Sequence, residues 1–340
     1  MKQMSRRERI QAAIDRQPVD RVPYAVWRHF PAVDRSPAGL AQATLRFHDH
    51  YGSDFLKITP RAGYPVEEWG CVEGEDVLPT GHRACARCAI TDPGDWRRIR
   101  ALDPTTAAGY VEQMETIIRL GFDRRIGDAP VVPTIFSPLS IAKKLASTRL
   151  AADLREHPDA LTGALEAITE TQIRFAQAAL AEGVSGIFYS IQAASRSQHS
   201  EETYARFGEP YDRRFLDAIT GRSRLTIIHA HGDDLMFERL AHLPGHVWNW
   251  DDRATPPTLA QARTMTPGAV LGGLDQWRTL RDGTPEAAAS EVRDAIAQTN
   301  GLGLIVGPGC VLAANTPDTT VAAVVKTLGG PLKPIPGLKL

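Results

Sequence analysis

The run LTIIHAHGDDL, residues 225–235, opens as an apolar segment and ends in a cluster of polar residues. A strand covered on both faces, as in a parallel sheet between helices, reads as a continuous apolar run rather than an alternation. LTIIHAH fits that reading until His229 and His231. Period two puts both imidazoles on one face at the strand's C-terminal end, where parallel α/β folds gather their chemistry. Two imidazoles so placed could hold a metal ion, share a proton, or simply hydrogen-bond to polar neighbours such as Asp233 or Asp251.

Working outward, seven more runs have strand character: VPYAVW (22–27), FLKIT (55–59), VVPTIF (131–136), GIFYS (186–190), VWNWD (247–251), AVLGGLD (269–275) and LIVGPGC (304–310). Helical periodicity fills most of the gaps, with clear cases at 157–183, 286–300 and 319–330. Strands alternating with helices point to an α/β protein with a parallel sheet, and eight of them point to a (β/α)8 TIM barrel. An open doubly wound sheet is the alternative, but no GxGxxG follows the first strand. Residues 61–100 break the rhythm with turn-rich, partly alternating sequence, which predicts a β-hairpin inserted after the second strand. No repeat or linker divides the chain, so one domain over 1–340 is expected.

Bulk properties narrow the function. Thirty-nine basic and 40 acidic residues leave a net charge of -1, which gives no electrostatic footprint for nucleic acid or an anionic membrane. No apolar stretch approaches the ~20 residues of a membrane span, and the first residues lack a signal-peptide core. Four cysteines do not make a disulfide framework in 340 residues, so a reducing cytoplasm is the expected location.

A barrel places its site at the C-terminal strand ends. The first strand ends in Arg28 and His29, the fourth in Tyr189, and the fifth in His229 and His231. The sixth ends in Asp251, the seventh in Asp275, and the eighth in Cys310. A catalytic zinc site keeps three protein ligands and one open position, and His229, His231 and Cys310 would supply that number if these strand ends share an ion. Arg28 is suited to grip a carboxylate bidentately. His29, Tyr189, Asp251 and Asp275 are candidate substrate contacts.

The opening RRERIQAAIDRQPVDRVPYAVW resembles the start of the uroporphyrinogen decarboxylase superfamily, and so do DPGDWRRIRALDP (92–104), FSPLSIAKKL (136–145), GGLD (272–275) and GPGCVLAANTP (307–317). The resemblance covers nearly the whole chain and implies a (β/α)8 barrel. One branch of the superfamily decarboxylates uroporphyrinogen without a cofactor. The other comprises zinc-dependent enzymes that pass a methyl group from a corrinoid to a thiol such as coenzyme M, with zinc on an H-x-C of the fifth strand and a G-C of the eighth. Here the fifth strand carries H-x-H and the eighth Gly309-Cys310, so His231 stands where that branch has cysteine.

The decarboxylase branch fits less well. Its two arginines after the first strand correspond to Arg28 and to Ala32. Its pyrrole-binding aspartate falls near KITPR (57–61), which contains no acid, and its eighth-strand histidine aligns with Cys310. The resemblance therefore implies a zinc-dependent methyltransferase, with the corrinoid carried by a separate partner protein because no D-x-H-x-x-G module is present. The substitution at 231 keeps a second activity open: a metal-assisted hydrolase or lyase on a small carboxylated substrate, since a more positive metal favours water activation.

Other residues have plainer readings. Cys85-Ala-Arg-Cys88 lacks the second half of a zinc knuckle, and Cys71 is expected to pack. His48 and His50 are expected at a helix surface. Trp248 and Trp250 share one face of the sixth strand and are expected in barrel–helix packing.

Overall fold

The computed structural model describes residues 3–333; residues 1–2 and 334–340, the ends of the expected 1–340 domain, lie outside the described residues. Nine strands follow in chain order: β1 (Leu56–Ile58), β2 (Val72–Val77), β3 (Arg83–Arg87), β4 (Val131–Phe136), β5 (Gly186–Ile191), β6 (Leu225–Ala230), β7 (Val247–Asn249), β8 (Ala269–Leu274) and β9 (Leu304–Pro308). Seven form one curled parallel sheet in the order β1-β4-β5-β6-β7-β8-β9, while β2 and β3 pair antiparallel as the expected hairpin.

Residues 22–27 occupy the eighth position, though not as the regular strand expected. They make one bridge, Tyr24 opposite Val306. Toward β9, Ala25 N donates to Val306 O and Val306 N to Pro23 O; toward β1, Asp54 N donates to Tyr24 O. Pro23 has no N–H to extend a ladder, and side chains substitute for it. Asp54 Oδ2 accepts from Tyr24 N, and Ser53 Oγ from Val26 N. The preceding turn is pinned by Arg9, which lies 2.7 Å from both Asp20 and Asp54, and by Arg21 on Asp54. Eight positions with helices outside make the (β/α)8 barrel.

Two apolar layers follow from strand alternation. Inside the ring, Trp27, Phe55, Val132, Phe188, Ile227, Val247, Leu271 and Ile305 pack together. Ile10 and Ala13 of α1 (Arg6–Ile14) join them and plug the N-terminal end of the ring. Residues of opposite parity, such as Ile228, Trp248, Val270 and Val306, pack outward against the helices. The clearest helical expectations correspond to Pro158–Ala181, Pro285–Thr299 and Asp318–Thr327. No helix among the described residues is long and apolar enough to cross a membrane.

His48 and His50 depart from the expected surface role. They end α2 (Pro37–Tyr51), which starts on a Ser36 cap and stops at Gly52 with φ 63°. Its last turn is wedged between the ring and the C-terminal helix, so both rings are buried. His50 bridges Lys333 O and Asp318 Oδ1 at 2.6 Å each. Cys71 is buried as expected.

Candidate metal centre and its two cavities

Alternation along β6 turns Leu225, Ile227 and His229 inward, so the barrel interior ends in an imidazole where the apolar layers stop. His231 lies just past β6, its N–H still donating to Ile191 O at 2.9 Å in sheet fashion. Cys310 follows β9 directly. The ligand-capable atoms of His229, His231 and Cys310 all lie within 4.8 Å of one another, a group that could hold a metal ion. His229 is buried, Cys310 half-buried and His231 exposed toward the mouth.

The donor set suits zinc. His229 Nδ1 lies 2.6 Å from Asn249 Oδ1. A protonated Nδ1 donating to that oxygen leaves Nε2 as the free ligand atom, the orienting contact that metal-bound histidines use. Asn249 is itself fixed, since its Nδ2 donates to Leu271 O at 2.9 Å and to Pro308 O at 3.2 Å. Burial pushes the Cys310 thiol up, but the charge of His231 and hydrogen bonds to both histidines bring it well below the usual thiol range. The charge of Cys310 in turn raises His231. A thiolate and imidazoles are the ordinary ligands of zinc.

Gly309 allows this convergence. A Cβ there would lie 2.4 Å from the Asp251 Cα, so only glycine lets the β9 end pass Asp251 and deliver Cys310. Asp251 Oδ2 accepts from Gln276 Nε2 at 2.7 Å, while its Oδ1 is buried without a partner.

The triad separates two cavities that share Thr80, His231, Cys310 and Val311. The first, of about 260 Å³, is lined by His29, Lys57, His82, Lys143 and Lys144 together with the aromatic walls Trp27 and Phe188. No carboxylate lines it. The second, of about 250 Å³, is lined by Asp233, Asp251, Thr255, Gln276 and Trp277, with no lysine or arginine.

Lys57 is buried in the strand interior. Its Nζ lies 4.5 Å above the Phe188 ring and 3.2 Å from Thr59 Oγ1. Burial lowers its pKa to about 7. Lys144, with Nζ 4.5 Å above Phe136, is lowered by burial and by Lys143 to about 8. His29 is kept neutral by burial and then by Lys57, and its Nδ1 has no partner.

A sequence profile described as Uroporphyrinogen decarboxylase (URO-D) matches residues 5–329. The chain belongs to the uroporphyrinogen decarboxylase family. Its relatives within the family span both chemistries. A methylcobamide:CoM methyltransferase of Methanosarcina mazei is 21% identical over 344 residues, 96% of this chain and 98% of the relative. A uroporphyrinogen decarboxylase of Anaeromyxobacter dehalogenans is 25% identical over 350 residues, 93% of this chain and 96% of that one. Among solved structures, a methyltransferase from Methanosarcina mazei superposes with a TM-score of 0.78 at 19% identity, covering 96% of this chain and 99% of the other. The shared fold is the family's barrel.

Several expected substrate contacts lie elsewhere. Arg28 alternates with the inward Trp27 and so points outward, its Nη2 donating to Ala314 O at 2.7 Å. Tyr189 also points outward: its hydroxyl donates to Asp212 at 2.7 Å and its ring stacks on Phe215. Asp275 caps the turn after β8, accepting from Trp277 N and Arg278 N, and lines neither cavity. His29 and Asp251 do line the cavities, one each. Asp233, expected beside the histidines, accepts instead from Ser197 Oγ at 2.6 Å.

Sequence reasoning missed Lys57, His82, Lys144 and Asn249. Asn249 was within reach: if Trp248 and Trp250 face the helices, the residue between them faces the barrel interior. Trp248 and Trp250 do face outward, donating to Leu240 O and Pro257 O.

Proposed function

We propose that this protein is a zinc-dependent methyltransferase that moves a methyl group from a corrinoid, carried by a separate protein, to a thiol bearing an anionic group. The observation that carries the reading is the convergence of His229, His231 and Cys310 between a lysine-lined cavity and an acid-lined one. The family relative named a methylcobamide:CoM methyltransferase supports the reaction class. When bound, zinc would supply a Lewis-acid centre with one open position, where a thiol loses its proton and persists as a thiolate at neutral pH.

The chain's own residues supply orientation and charge. Asn249 fixes the His229 ring, and the two imidazoles favour the thiolate form of Cys310. Lys57 and Lys144 face a cavity without a carboxylate and would receive the anionic end of the acceptor. Trp27 and Phe188 exclude water beside it. Displacement at a methyl carbon requires the nucleophile opposite the leaving group, and two cavities meeting at one point allow acceptor and donor to approach from different sides. The acceptor sulfur bonds to the methyl carbon as the cobalt–carbon bond breaks, its electron pair remaining on the corrinoid. Asp251 Oδ1, unpartnered in the second cavity, would accept a hydrogen bond there. We place the protein in the cytoplasm as a single domain over 1–340.

Uroporphyrinogen decarboxylation is not proposed, because Lys57, a donor, faces the cavity in the segment that would need an acid to receive pyrrole N–H groups. The same lysine-lined cavity favours one second reading, metal-assisted hydrolysis or lysis of a small carboxylated substrate. The test is zinc-loaded protein with methylcobalamin and a panel of sulfonated, carboxylated and neutral thiols. Demethylation of the cobalamin matched by thiol consumption, fastest with the anionic thiols, is expected. No thiol-dependent demethylation together with turnover of carboxylated esters or hydroxy acids would replace the first reading with the second.

A further inference from the structure

Four arginines are buried among the described residues. Arg9 meets Asp20 and Asp54, Arg61 meets Glu67 and Glu112, and Arg83 meets Asp34 and Glu73. Arg28 meets no carboxylate. Its Nη2 donates to Ala314 O at 2.7 Å and its Nε to His29 O at 3.4 Å. A guanidinium does not lose its proton, so burial leaves its charge in place. Carbonyl dipoles offset that charge only in part.

Arg28 lines a small cavity that α2 covers, on the outer side of the 22–27 segment. Its volume is about 20 Å³, room for a single water-sized species. Three side-chain atoms of its lining residues are buried with no partner: Thr44 Oγ1, His48 Nδ1 and His48 Nε2. Ser53 joins them, its Oγ accepting from Val26 N with its own proton uncommitted. Phe30, Phe47 and Leu56 supply apolar wall, and Lys57, whose Nζ lies over the Phe188 ring, completes the lining. Thr44 and His48 are 5% and 4% exposed, so their polar atoms have no recourse to bulk solvent.

We propose that this cavity binds one monatomic anion, chloride under ordinary conditions, between the Arg28 guanidinium and the hydroxyls of Thr44 and Ser53, with one N–H of His48. Water could satisfy the hydroxyls and the imidazole but would leave the guanidinium without a counter-charge. A polyatomic anion exceeds the space. The site is distinct from the metal centre but tied to its walls. Arg28 holds Ala314, four residues beyond Cys310, and contacts the carbonyl of His29, which lines the lysine-rich cavity. The anion thus fixes two segments that shape the reaction chamber.

The test is crystallographic, on the whole wild-type protein in sodium bromide with data collected at the bromine absorption edge. An anomalous peak in contact with Arg28, Thr44 and His48 is expected. Density without anomalous signal at saturating bromide identifies water and overturns the proposal. In solution, replacing sodium gluconate with sodium chloride at equal ionic strength should raise the unfolding midpoint by about 2 °C at ten times the dissociation constant. Arg28→Met should abolish that dependence, and Thr44→Val, which keeps the charge, should weaken it. An equal chloride effect in wild type and Arg28→Met would assign it to the general surface and count against the site.

Discussion

The two cavities that meet at His229, His231 and Cys310 are nearly equal in size, about 260 and 250 Å³, yet opposite in charge. One gathers Lys57, Lys143 and Lys144 with no carboxylate; the other gathers Asp233 and Asp251 with no lysine or arginine. Opposite fields on either side of one metal-capable cluster orient a polar reactant before it arrives. On the proposed reading, an anionic acceptor would sit on the lysine side rather than the other. The difference teaches that, on that reading, choice of reactant would rest on side chains flanking the cluster, and activation on the cluster itself.

The largest expected effect breaks the junction. Cys310→Ala should reduce zinc from about one per chain to near none, measured by elemental analysis, while Cys85→Ala should leave it unchanged. Full zinc retention without Cys310 would move the metal elsewhere. Next comes the support of His229. Asn249→Ala should weaken zinc binding about 10- to 100-fold, read by competition with a chelating dye, because the ring loses its orienting acceptor. A smaller effect sharpens the contrast between the halves. Lys57→Met should raise KM for a sulfonated or carboxylated thiol about tenfold, a loss near 1.4 kcal/mol, and leave neutral thiols and zinc content unaffected.

A separate effect is on stability. Lys57 has a folded-state pKa of about 7 against 10.5 ordinarily. Between those values the unfolded chain binds more protons than the folded one, so stability should rise as pH climbs from about 7 toward 10.5. Below pH 7 both states carry the charge and the slope vanishes. Urea unfolding of wild type and Lys57→Met across that range would show a shallower rise in the variant; identical slopes would mean that Lys57 is solvated.

What was legible in the sequence followed from periodicity. Continuous apolar runs such as LTIIHAH and AVLGGLD marked strands covered on both sides, and the placement of His229, His231 and Cys310 at strand ends marked the junction. Facing was harder to read. In a strand buried on both sides either parity is apolar, so GIFYS does not reveal that Ser190 lines the barrel while Tyr189 meets Asp212. The same ambiguity misplaced Arg28, whose neighbour Trp27 takes the inward position. Lys57 stood in FLKIT, where a charge inside an apolar strand was itself a signal. His82 and Thr80 had none, because only the tertiary course of the hairpin brings them to the mouth.

That course has a consequence for how the chamber could change over time. The turn between β2 and β3 is anchored by a hydrogen bond from Ala314 N to Pro79 O, and it contributes Thr80 to both cavities and His82 to one. It donates none of the triad and none of the strands of the ring. Lengthening, shortening or recharging this single loop would therefore redraw the chamber's outline while the ring and triad stayed as they are. A lineage could explore new acceptors by editing a detachable wall, leaving the foundation untouched.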